Sequence, residues 1–271
     1  MAAPPWVSPL NQDVLDELTG DCSGHAEQMG RLLLEQVGQS GANGIVLGLS
    51  GGVDSAVAAA AAARVLRDRT LALVMPDSDV SPESETVDAL GLVDRLRIGY
   101  KLLDISPIVR AYSLYLEPDE RARGNLRARV RMCILYYYAN LEGRLVVGAG
   151  DKSERLLGYF TKFGDGASDV ELLAGLFKSQ VRKVAGHLGV PGNIISKKSS
   201  PHLWSGHLAE KELGASYEEI DSILYCTLDR GMDTLEAAAH CDIDKDRALR
   251  IMEMHRKSAH KRSPPAGAPV Q

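Results

Sequence analysis

Residues 44–66, with the sequence GIVLGLSGGVDSAVAAAAAARVL, constrain the fold more than any other segment of the chain. A continuous apolar run at residues 45–49 leads through a Gly-Gly turn into an alanine-rich segment at residues 55–67. This order predicts a buried parallel strand followed directly by a helix. Ligands bind at the carboxyl ends of strands in open α/β sheets. Residues 50–55, which we call the SGGVDS loop, are therefore predicted to hold a ligand.

The composition of the SGGVDS loop predicts which ligand it holds. Its glycines let the backbone approach a bulky anion, and the helix that follows offers free N–H groups and about half a positive charge. Ser50 and Ser55 add hydroxyl donors. The loop lacks the lysine of a GxxxxGK[ST] motif, and Asp54 suits a phosphate whose charge is bridged by Mg²⁺. We predict a cradle for the pyrophosphate of a nucleotide; a glycine-rich turn capped by a serine is the alternative interpretation.

The rest of the chain repeats the alternation of short buried strands and helices. Further strands are predicted at residues 70–76, 100–105 and 144–150. Helical segments are predicted at residues 14–37, with an interruption around residues 20–24, and from Pro82 onward behind an N-capping Ser81. Further helices are predicted at residues 126–141, 172–191 and 217–257. This pattern is typical of an α/β fold: a doubly wound, Rossmann-like parallel sheet with helices on both faces, followed by a helical C-terminal part.

Neither an internal repeat nor a linker divides the chain, so we predict one domain over residues 13–262. Residues 1–12 are predicted to be a flexible lead-in. Residues 263–271, with the sequence SPPAGAPVQ, are predicted to be a disordered tail.

Composition argues against several classes of function. The formal net charge is -5, which leaves no basic surplus for a nucleic-acid partner. No segment has the pattern of a membrane span or of a signal peptide. The four cysteines are far apart and form no CxxC pair, so we expect free thiols in a reducing, cytoplasmic compartment.

The complete SGGVDS string is similar to the signature of the N-type ATP pyrophosphatases, which cleave ATP to AMP and pyrophosphate while adenylating an acceptor. Within that superfamily, of adenine nucleotide alpha hydrolase-like fold, the chain resembles NAD synthetase over roughly residues 27–262. The strings VVGAGDKSERLLGYFTKFGDGASD, LFKSQVRKVAGHLGVP and the late HKR carry this resemblance. The sequence shows no nitrilase-like domain, so it resembles the ammonia-dependent form, which is a homodimer.

The resemblance implies a reaction. In this family ATP adenylates the nicotinate carboxylate of deamido-NAD, pyrophosphate leaves, and ammonia attacks the acyl-adenylate to give NAD and AMP. Adenylation is needed because the leaving group of a free carboxylate would be oxide. Positive charge must offset the crowded anions of the first step, which implies Mg²⁺ as the cofactor. ATP is implied as the co-substrate, and deamido-NAD and ammonia as the other substrates.

The resemblance also implies roles for individual residues. Mg²⁺ is assigned to Asp54 and Glu154, and the acceptance of a proton from ammonium to Asp165. Lys178 is expected to contact ATP phosphate, so catalysis is assigned to Asp54, Asp165 and Lys178. The ATP site further comprises Gly48, Ser50, Gly51, Gly52, Val53, Ser55, Ala149, Ser200, His260 and Lys261, and the deamido-NAD site comprises Asn125, Arg129, Lys162 and Asp169. For each residue alone, a helix cap, a turn or a solvated helix face is the alternative interpretation.

Four positions depart from the usual pattern of the family. Ala149 stands for a threonine, Ser199 for a proline, His207 for a glutamine and Ala209 for an aspartate. The last three lie in a loop that excludes water from the intermediate in the family. One alternative is therefore a paralogue that adenylates and amidates a different carboxylate. Another is a catalytically silent nucleotide-binding protein, which the presence of the predicted catalytic and metal-binding residues disfavours.

Overall fold

The computed structural model describes residues 11–20, 22–200, 206–265 and 267. Within these residues, five strands form one sheet in the order β3-β2-β1-β4-β5, and every neighbouring pair is parallel. The strands are β1 (Gly44–Gly48), β2 (Thr70–Val74), β3 (Gly99–Leu102), β4 (Arg144–Gly148) and β5 (Val170–Glu171). The predicted α/β class with a parallel sheet is confirmed.

Helices make up most of the remaining described chain. In chain order they are α1 (Gln12–Leu18), α2 (Ser23–Ser40), α3 (Val53–Leu66), α4 (Glu83–Leu96), α5 (Ser106–Ser113), α6 (Glu120–Glu142), α7 (Lys152–Leu157), α8 (Lys178–His187), α9 (Gly192–Ile195), α10 (Ala209–Leu213), α11 (Tyr217–Leu224), α12 (Thr234–His240), α13 (Lys245–Lys257) and α14 (Ala259–Arg262). Each strand from β1 to β4 is thus followed along the chain by a helix, which is the alternation that the sequence predicts.

The core divides along the two faces of the sheet. Ile45 and Leu47 of β1 pack with residues of α2, α3, α4 and α8, whereas Val46 packs with α5 and α6, because successive side chains of a strand point to opposite faces. Helices therefore cover both faces, as predicted. A third cluster joins α1, α11, α12 and α13 into the helical C-terminal part.

Helix α3 runs through the centre of one face and fixes the position of the SGGVDS loop. The alanines at residues 58–63 are at most 6% exposed, and their small side chains let neighbouring helices approach closely. A Cβ added to Gly30 of α2 would lie 3.1 Å from Val65 Cγ1, which shows how close that approach is. Because alanine is also the best helix former, the run holds the N-terminus of α3 rigidly beside the sheet.

Two predicted helix starts are wrong. Ser81 does not cap α4: its hydroxyl accepts a hydrogen bond from Asp77 N at 3.1 Å, and Pro82 takes the N-cap position. The helix predicted from residue 172 begins only at Lys178, because β5 and a turn precede it. The first turn of α8 therefore lies at the edge of the sheet rather than inside a longer helix.

The helix predicted over residues 217–257 is broken in the structure. Helix α11 continues into a π-helical turn at Tyr225–Asp229. Asp233 and Asp244 then cap α12 and α13 with side-chain hydrogen bonds. These aspartates are strong N-cap residues, so separate helices form where the apolar periodicity alone predicts one.

The predicted ends are described only in part. Helix α1 begins at Gln12, so the lead-in predicted for residues 1–12 extends too far, and its residues 1–10 lie outside the described chain. Residues 266 and 268–271 of the predicted tail lie outside it as well. One domain over residues 13–262 stays a prediction.

Candidate active site

A cavity of about 660 Å³ opens at the carboxyl ends of β1, β2 and β4. The segments that follow these strands contribute Ser50, Met75 and Ala149 to its lining, and α6 and α14 contribute from the sides. Twelve of the residues predicted for the site line this cavity: Gly48, Ser50, Gly52, Val53, Asp54, Ser55, Asn125, Ala149, Glu154, Asp165, Ser200 and Lys261. The parallel topology brings them together, because the carboxyl ends of parallel strands meet at one edge of the sheet.

The SGGVDS loop is held by its own side chains. Ser55 Oγ accepts a hydrogen bond from Ser50 N at 3.2 Å and donates to Gly52 O at 3.1 Å. Gly51 has a φ of 87°, and a Cβ there would lie 2.3 Å from Glu85 O. Only glycine fits this position. The predicted hydroxyl donors thus also brace the turn. Gly52, at the N-cap of α3, has no side-chain capping hydrogen bond, and residues 52–55 line the cavity.

A lysine that the sequence analysis did not single out reaches the loop from far along the chain. Lys197 Nζ donates to Gly51 O at 3.1 Å and forms ion pairs with Glu85 at 2.9 Å and Asp88 at 2.6 Å. Lys197 also lines the cavity. No spacing or motif connects it to the loop, so only the tertiary structure identifies it.

Three carboxylates surround one buried ammonium group beside the loop. Lys178 Nζ lies 2.8 Å from Asp54 Oδ2, 2.8 Å from Asp151 Oδ2 and 2.9 Å from Glu154 Oε1, and the Lys178 side chain is 0% exposed. We call Asp54, Asp151 and Glu154 the acidic cluster. One oxygen of each lies within 4.8 Å of the others. Among the described residues, Asp54 Oδ1 is buried and has no hydrogen-bond partner.

Burial makes the acidic cluster costly as an ionised group. Desolvation, partly offset by Lys178, raises the pKa of Glu154 to about 8 and also raises the pKa of Asp151. Desolvation alone lowers the pKa of Lys178, but the carboxylates outweigh it and raise that pKa well above its usual value. Without a cation, these raised pKa values favour protonation of the cluster. Fully ionised, three carboxylates and one ammonium would carry a surplus of two negative charges, which a divalent cation would balance. Oxygen ligands of this kind suit Mg²⁺.

A buried hydrogen-bond network positions Lys178 beneath the cluster. Ser153 Oγ accepts from Lys178 N at 2.9 Å and donates to Asp221 Oδ1 at 2.5 Å. Asp221 Oδ2 accepts from Ser179 N at 2.8 Å. Burial raises the pKa of Asp221 to about 7. The network joins α7, α8 and α11, so the start of α8 is fixed before any ligand binds.

The opposite wall of the cavity carries Asn125 and Asp165. Thr161 Oγ1 donates to Asn125 Oδ1 at 2.7 Å, and Thr161 N donates to Asp165 Oδ1 at 2.8 Å. Asp165 is exposed at the cavity wall, and the protein groups around its carboxyl displace enough water to raise its pKa. Its carboxyl is therefore a better proton acceptor than a fully solvated aspartate.

Helices α6 and α14 contribute basic residues to the cavity lining, among them Arg131 and Lys261. Arg131 Nε donates to Met75 O at 2.9 Å, and burial lowers the pKa of Arg131 to about 10, so it stays protonated at neutral pH. Lys261 Nζ donates to Gly158 O and Phe160 O, both at 2.7 Å. Burial lowers the pKa of Lys261. Lys261 is one of the predicted site residues, whereas Arg131 is not.

Six predicted site residues are not part of the cavity lining: Gly51, Arg129, Lys162, Asp169, Lys178 and His260. Gly51 and Lys178 lie directly behind the lining. On the outer side, Arg129 Nη2 donates to Lys162 O at 3.3 Å, and Lys162 Nζ donates to His260 O at 3.0 Å. Arg129 is exposed although Asn125, one turn earlier on α6, faces the cavity. The roles assigned to this outer group stay predictions.

Asp151 is the functional candidate that sequence reasoning missed but had a signal to find. It follows β4, the strand that lies beside β1. It therefore lies at the same edge of the sheet as the SGGVDS loop, which follows β1. Its Oδ1 also caps α7 by accepting from Glu154 N at 2.8 Å. An aspartate at the first helix N-cap after a buried strand is therefore a detectable pattern. All four departures from the family pattern, Ala149, Ser199, His207 and Ala209, line the cavity as well.

A phosphate-type loop at a helix N-terminus, beside an acidic cluster in an open α/β sheet, defines a class of nucleotide-binding α/β proteins. The sequence profile of the NAD synthase family matches residues 26–265. An NH(3)-dependent NAD(+) synthetase from Hyperthermus butylicus is 53% identical over 254 residues, which cover 92% of each chain. This chain belongs to the NAD synthase family and is an enzyme. The resemblance to ammonia-dependent NAD synthetases is confirmed.

Solved structures agree with this assignment. An NMN synthetase from Francisella tularensis superimposes with a TM-score of 0.82 at 34% identity, covering 92% of this chain and 99% of that one. An NH3-dependent NAD synthetase from Campylobacter jejuni, in complex with the nitrate ion, gives 0.78 at 31% identity, covering 92% and 100%. Among the described residues of our chain, no helix combines the length and apolarity needed to cross a membrane.

Proposed function

We propose that this enzyme amidates deamido-NAD with ammonia in an ATP- and Mg²⁺-dependent reaction that gives NAD, AMP and pyrophosphate through an acyl-adenylate. The observation that carries the proposal is the acidic cluster beside the SGGVDS loop, in a chain of the NAD synthase family. The names of the relatives, NH(3)-dependent NAD(+) synthetases, support the ammonia-dependent form.

The loop and the cluster divide the work of ATP binding. Backbone N–H groups at the start of α3 would bind the pyrophosphate part of ATP, because the helix N-terminus favours negative charge. Asp54, Asp151 and Glu154 would hold Mg²⁺, which neutralises phosphate charge when bound. The unpaired Asp54 Oδ1 and the surplus of negative charge support this assignment. The main role of Lys178 would be to hold the three carboxylates together, and contact with phosphate would be secondary.

The opposite wall would hold the acceptor and ammonia. The raised pKa of Asp165 suits it to take a proton from ammonium, which frees the nitrogen lone pair for attack. Arg131 and Lys261 would bind anionic parts of the substrates, because both are basic side chains that line the cavity. Met132 and Leu135 of α6 add an apolar surface suited to a planar base.

The predicted substrate residues that do not line the cavity, Arg129, Lys162 and Asp169, would contact deamido-NAD where a second copy of the chain completes the site. We therefore include a homodimer in the proposal. Exposed Tyr137 and Leu141, each 63% exposed on α6, supply apolar surface for such an interface. Among the described residues, Cys22, Cys133, Cys226 and Cys241 form no disulfide, which suits the proposed reducing, cytoplasmic location.

The test is an end-point mass-spectrometric assay with ATP, Mg²⁺, deamido-NAD and ammonium, in which NAD and pyrophosphate are measured together. We expect equal amounts of both from the wild-type chain and loss of both in Asp54→Asn. Asp246→Asn is the matched control, because this aspartate is exposed on α13 and far from the cavity. ATP binding without either product would support a silent nucleotide-binding protein instead.

A second candidate is amidation of a different carboxylate, in particular that of nicotinate mononucleotide. The TM-score of 0.82 to an NMN synthetase favours it, as do the four altered residues lining the cavity. The same assay decides between the two acceptors when both are supplied in equal amounts. Predominant formation of NMN would contradict the first candidate.

A further inference from the structure

Three polar atoms from separate elements meet at one point on the cavity wall. His207 Nε2 lies 2.7 Å from Glu212 Oε2 and 3.0 Å from Tyr159 OH, and Tyr159 OH donates to the same Glu212 oxygen at 2.8 Å. The rings of His207 and Tyr159 pack edge to face, with centroids 6.5 Å apart. His207 is only 4% exposed. All three residues line the cavity.

The distances restrict where the protons lie. A nitrogen and a carboxylate oxygen only 2.7 Å apart require a proton between them. With Glu212 ionised, that proton belongs to His207 Nε2, which then donates to Glu212. Burial and the hydrogen bond to Glu212 raise the pKa of Tyr159, which keeps its hydroxyl protonated and donating to the same oxygen. Glu212 thus accepts from both rings. Both bonds involve a carboxylate, and such hydrogen bonds are the stronger kind.

His207 also holds the chain on either side of it. Ser200 Oγ donates a hydrogen bond to His207 O, and Ala209 N donates to Ser199 O at 3.0 Å. We call Ser199, Ser200, His207 and Ala209 the anchored wall. Through Tyr159 this wall is connected to α7, because Tyr159 N donates to the backbone oxygen of Glu154 at 2.8 Å. The wall is therefore tied to the helix that carries the acidic cluster.

We propose that His207 is a positioning residue that holds the anchored wall against Tyr159 and Glu212, and so keeps water from the acyl-adenylate. The inference rests on the proposed function for its consequence and on the contacts above for the anchor itself. A glutamine at this position, usual in the family, has one amide that can still donate to Glu212 but has no ring to pack on Tyr159. The complete anchor accordingly requires the histidine that this chain has at position 207.

The first arm of the test measures the anchor without activity. Hydrogen exchange of the Ala209 amide is followed in the wild type, His207→Ala, His207→Gln and the control His187→Ala, whose histidine is exposed on α8. Removing a charge-assisted hydrogen bond should speed this exchange about tenfold in His207→Ala. We expect a rise of at most about threefold in His207→Gln, which keeps one donor, and none in the control. Equal exchange in all four proteins would overturn the proposal.

The second arm measures pyrophosphate released per NAD formed. Water that reaches the acyl-adenylate hydrolyses it to AMP and the free acid, so pyrophosphate appears without NAD. We expect this ratio to rise at least about threefold in His207→Ala and to be largely rescued in His207→Gln. Faster exchange with an unchanged ratio would overturn the positioning role. If the wild type forms no NAD, the proposed function fails, while the exchange arm still decides whether His207 is an anchor.

Discussion

Two buried charge groups flank the cavity, and they differ in their balance. Around Lys178, one ammonium meets the three carboxylates of the acidic cluster. In the second group, the Asp77 carboxylate lies 2.5 Å from Arg127 Nε, and both side chains are at most 6% exposed. The charge of Asp77 also acts on the nearby Arg131. The first group has a surplus of negative charge and the second a surplus of positive charge.

The difference indicates what each group is for. A buried pair of opposite charges is neutralised within the protein and serves the fold, although it adds little net stability. A buried surplus is stable only if protons or a ligand balance it. The acidic cluster opens onto the cavity and suits a cation, whereas Arg131 faces the same cavity and suits an anion. The Arg127–Asp77 pair itself does not line the cavity, so it should be purely structural.

The largest effect is expected from Lys178→Met. The substitution leaves three carboxylates buried without their cation, so the cluster takes up protons or moves apart. We expect the NAD-forming activity to fall more than about 1000-fold. The free energy of unfolding should also drop by about 3–5 kcal/mol. Lys183→Met, on the exposed side of α8, is the control. Near-normal activity in Lys178→Met would contradict a functional cluster.

Arg127→Met tests the opposite group. It leaves the Asp77 carboxylate buried without this partner, and urea unfolding should show a loss of about 3–5 kcal/mol. Because removing both partners leaves no orphaned charge, Arg127→Met combined with Asp77→Leu should recover part of that loss. The KM for Mg²⁺ should stay unchanged in whatever fraction folds. A changed KM would mean that the two groups are coupled.

Addition of Mg²⁺ should stabilise the wild-type chain through the acidic cluster alone. At about one hundred times the dissociation constant, a ligand of the native state adds about 2.7 kcal/mol, which corresponds to roughly 5–10 °C in Tm for a chain of this size. A chelator should reverse the shift, and Glu154→Gln should abolish most of it. A shift of equal size in Glu154→Gln would place the ion elsewhere.

The smallest effect is expected from an exposed carboxylate, Asp104, which sharpens the contrast with the buried groups. Desolvation raises its pKa, but hydrogen bonds from Ser106 and Ser78 outweigh this and lower the pKa to about 2 from 3.8. The stabilisation is therefore fully present above about pH 4 and lost as the pH falls towards 2. Solvent screening limits it to less than about 1 kcal/mol. Asp104→Asn should reduce the loss of stability between pH 5 and pH 3 in urea unfolding, whereas an unchanged slope would contradict this assignment.

Local patterns predicted the first part of the site well. The apolar run, the glycines and the alanines of residues 44–66 act within a few residues of each other, so the strand, the turn and α3 follow from sequence. The same holds for most strands, whose predicted bounds differ from the observed ones by at most three residues at either end. The break after α11 was missed because Asp233 and Asp244 act as caps inside an apolar periodicity that continues past them.

The rest of the site depends on contacts between distant residues. Lys197 reaches Gly51 only after α9 has returned to the SGGVDS loop. Lys178 meets both Asp54 and Asp151 only because β4 lies beside β1 in the sheet. Arg129 shows the converse, because its helical spacing to Asn125 is right and yet only one of the two faces the cavity. Sequence spacing fixes which residues share a helix face, while the packing of that helix decides which of them meets a ligand.

Helix α14 lies almost at the end of the described chain, and yet Lys261 and Arg262 donate to the backbone oxygens of residues 156, 158 and 160, of which 158 and 160 line the cavity. A nascent chain on the ribosome can form the sheet and the SGGVDS loop while this border is still missing. The order of synthesis therefore separates two stages: the nucleotide-binding loop can form early, whereas the part of the cavity wall that α14 completes must wait for that helix.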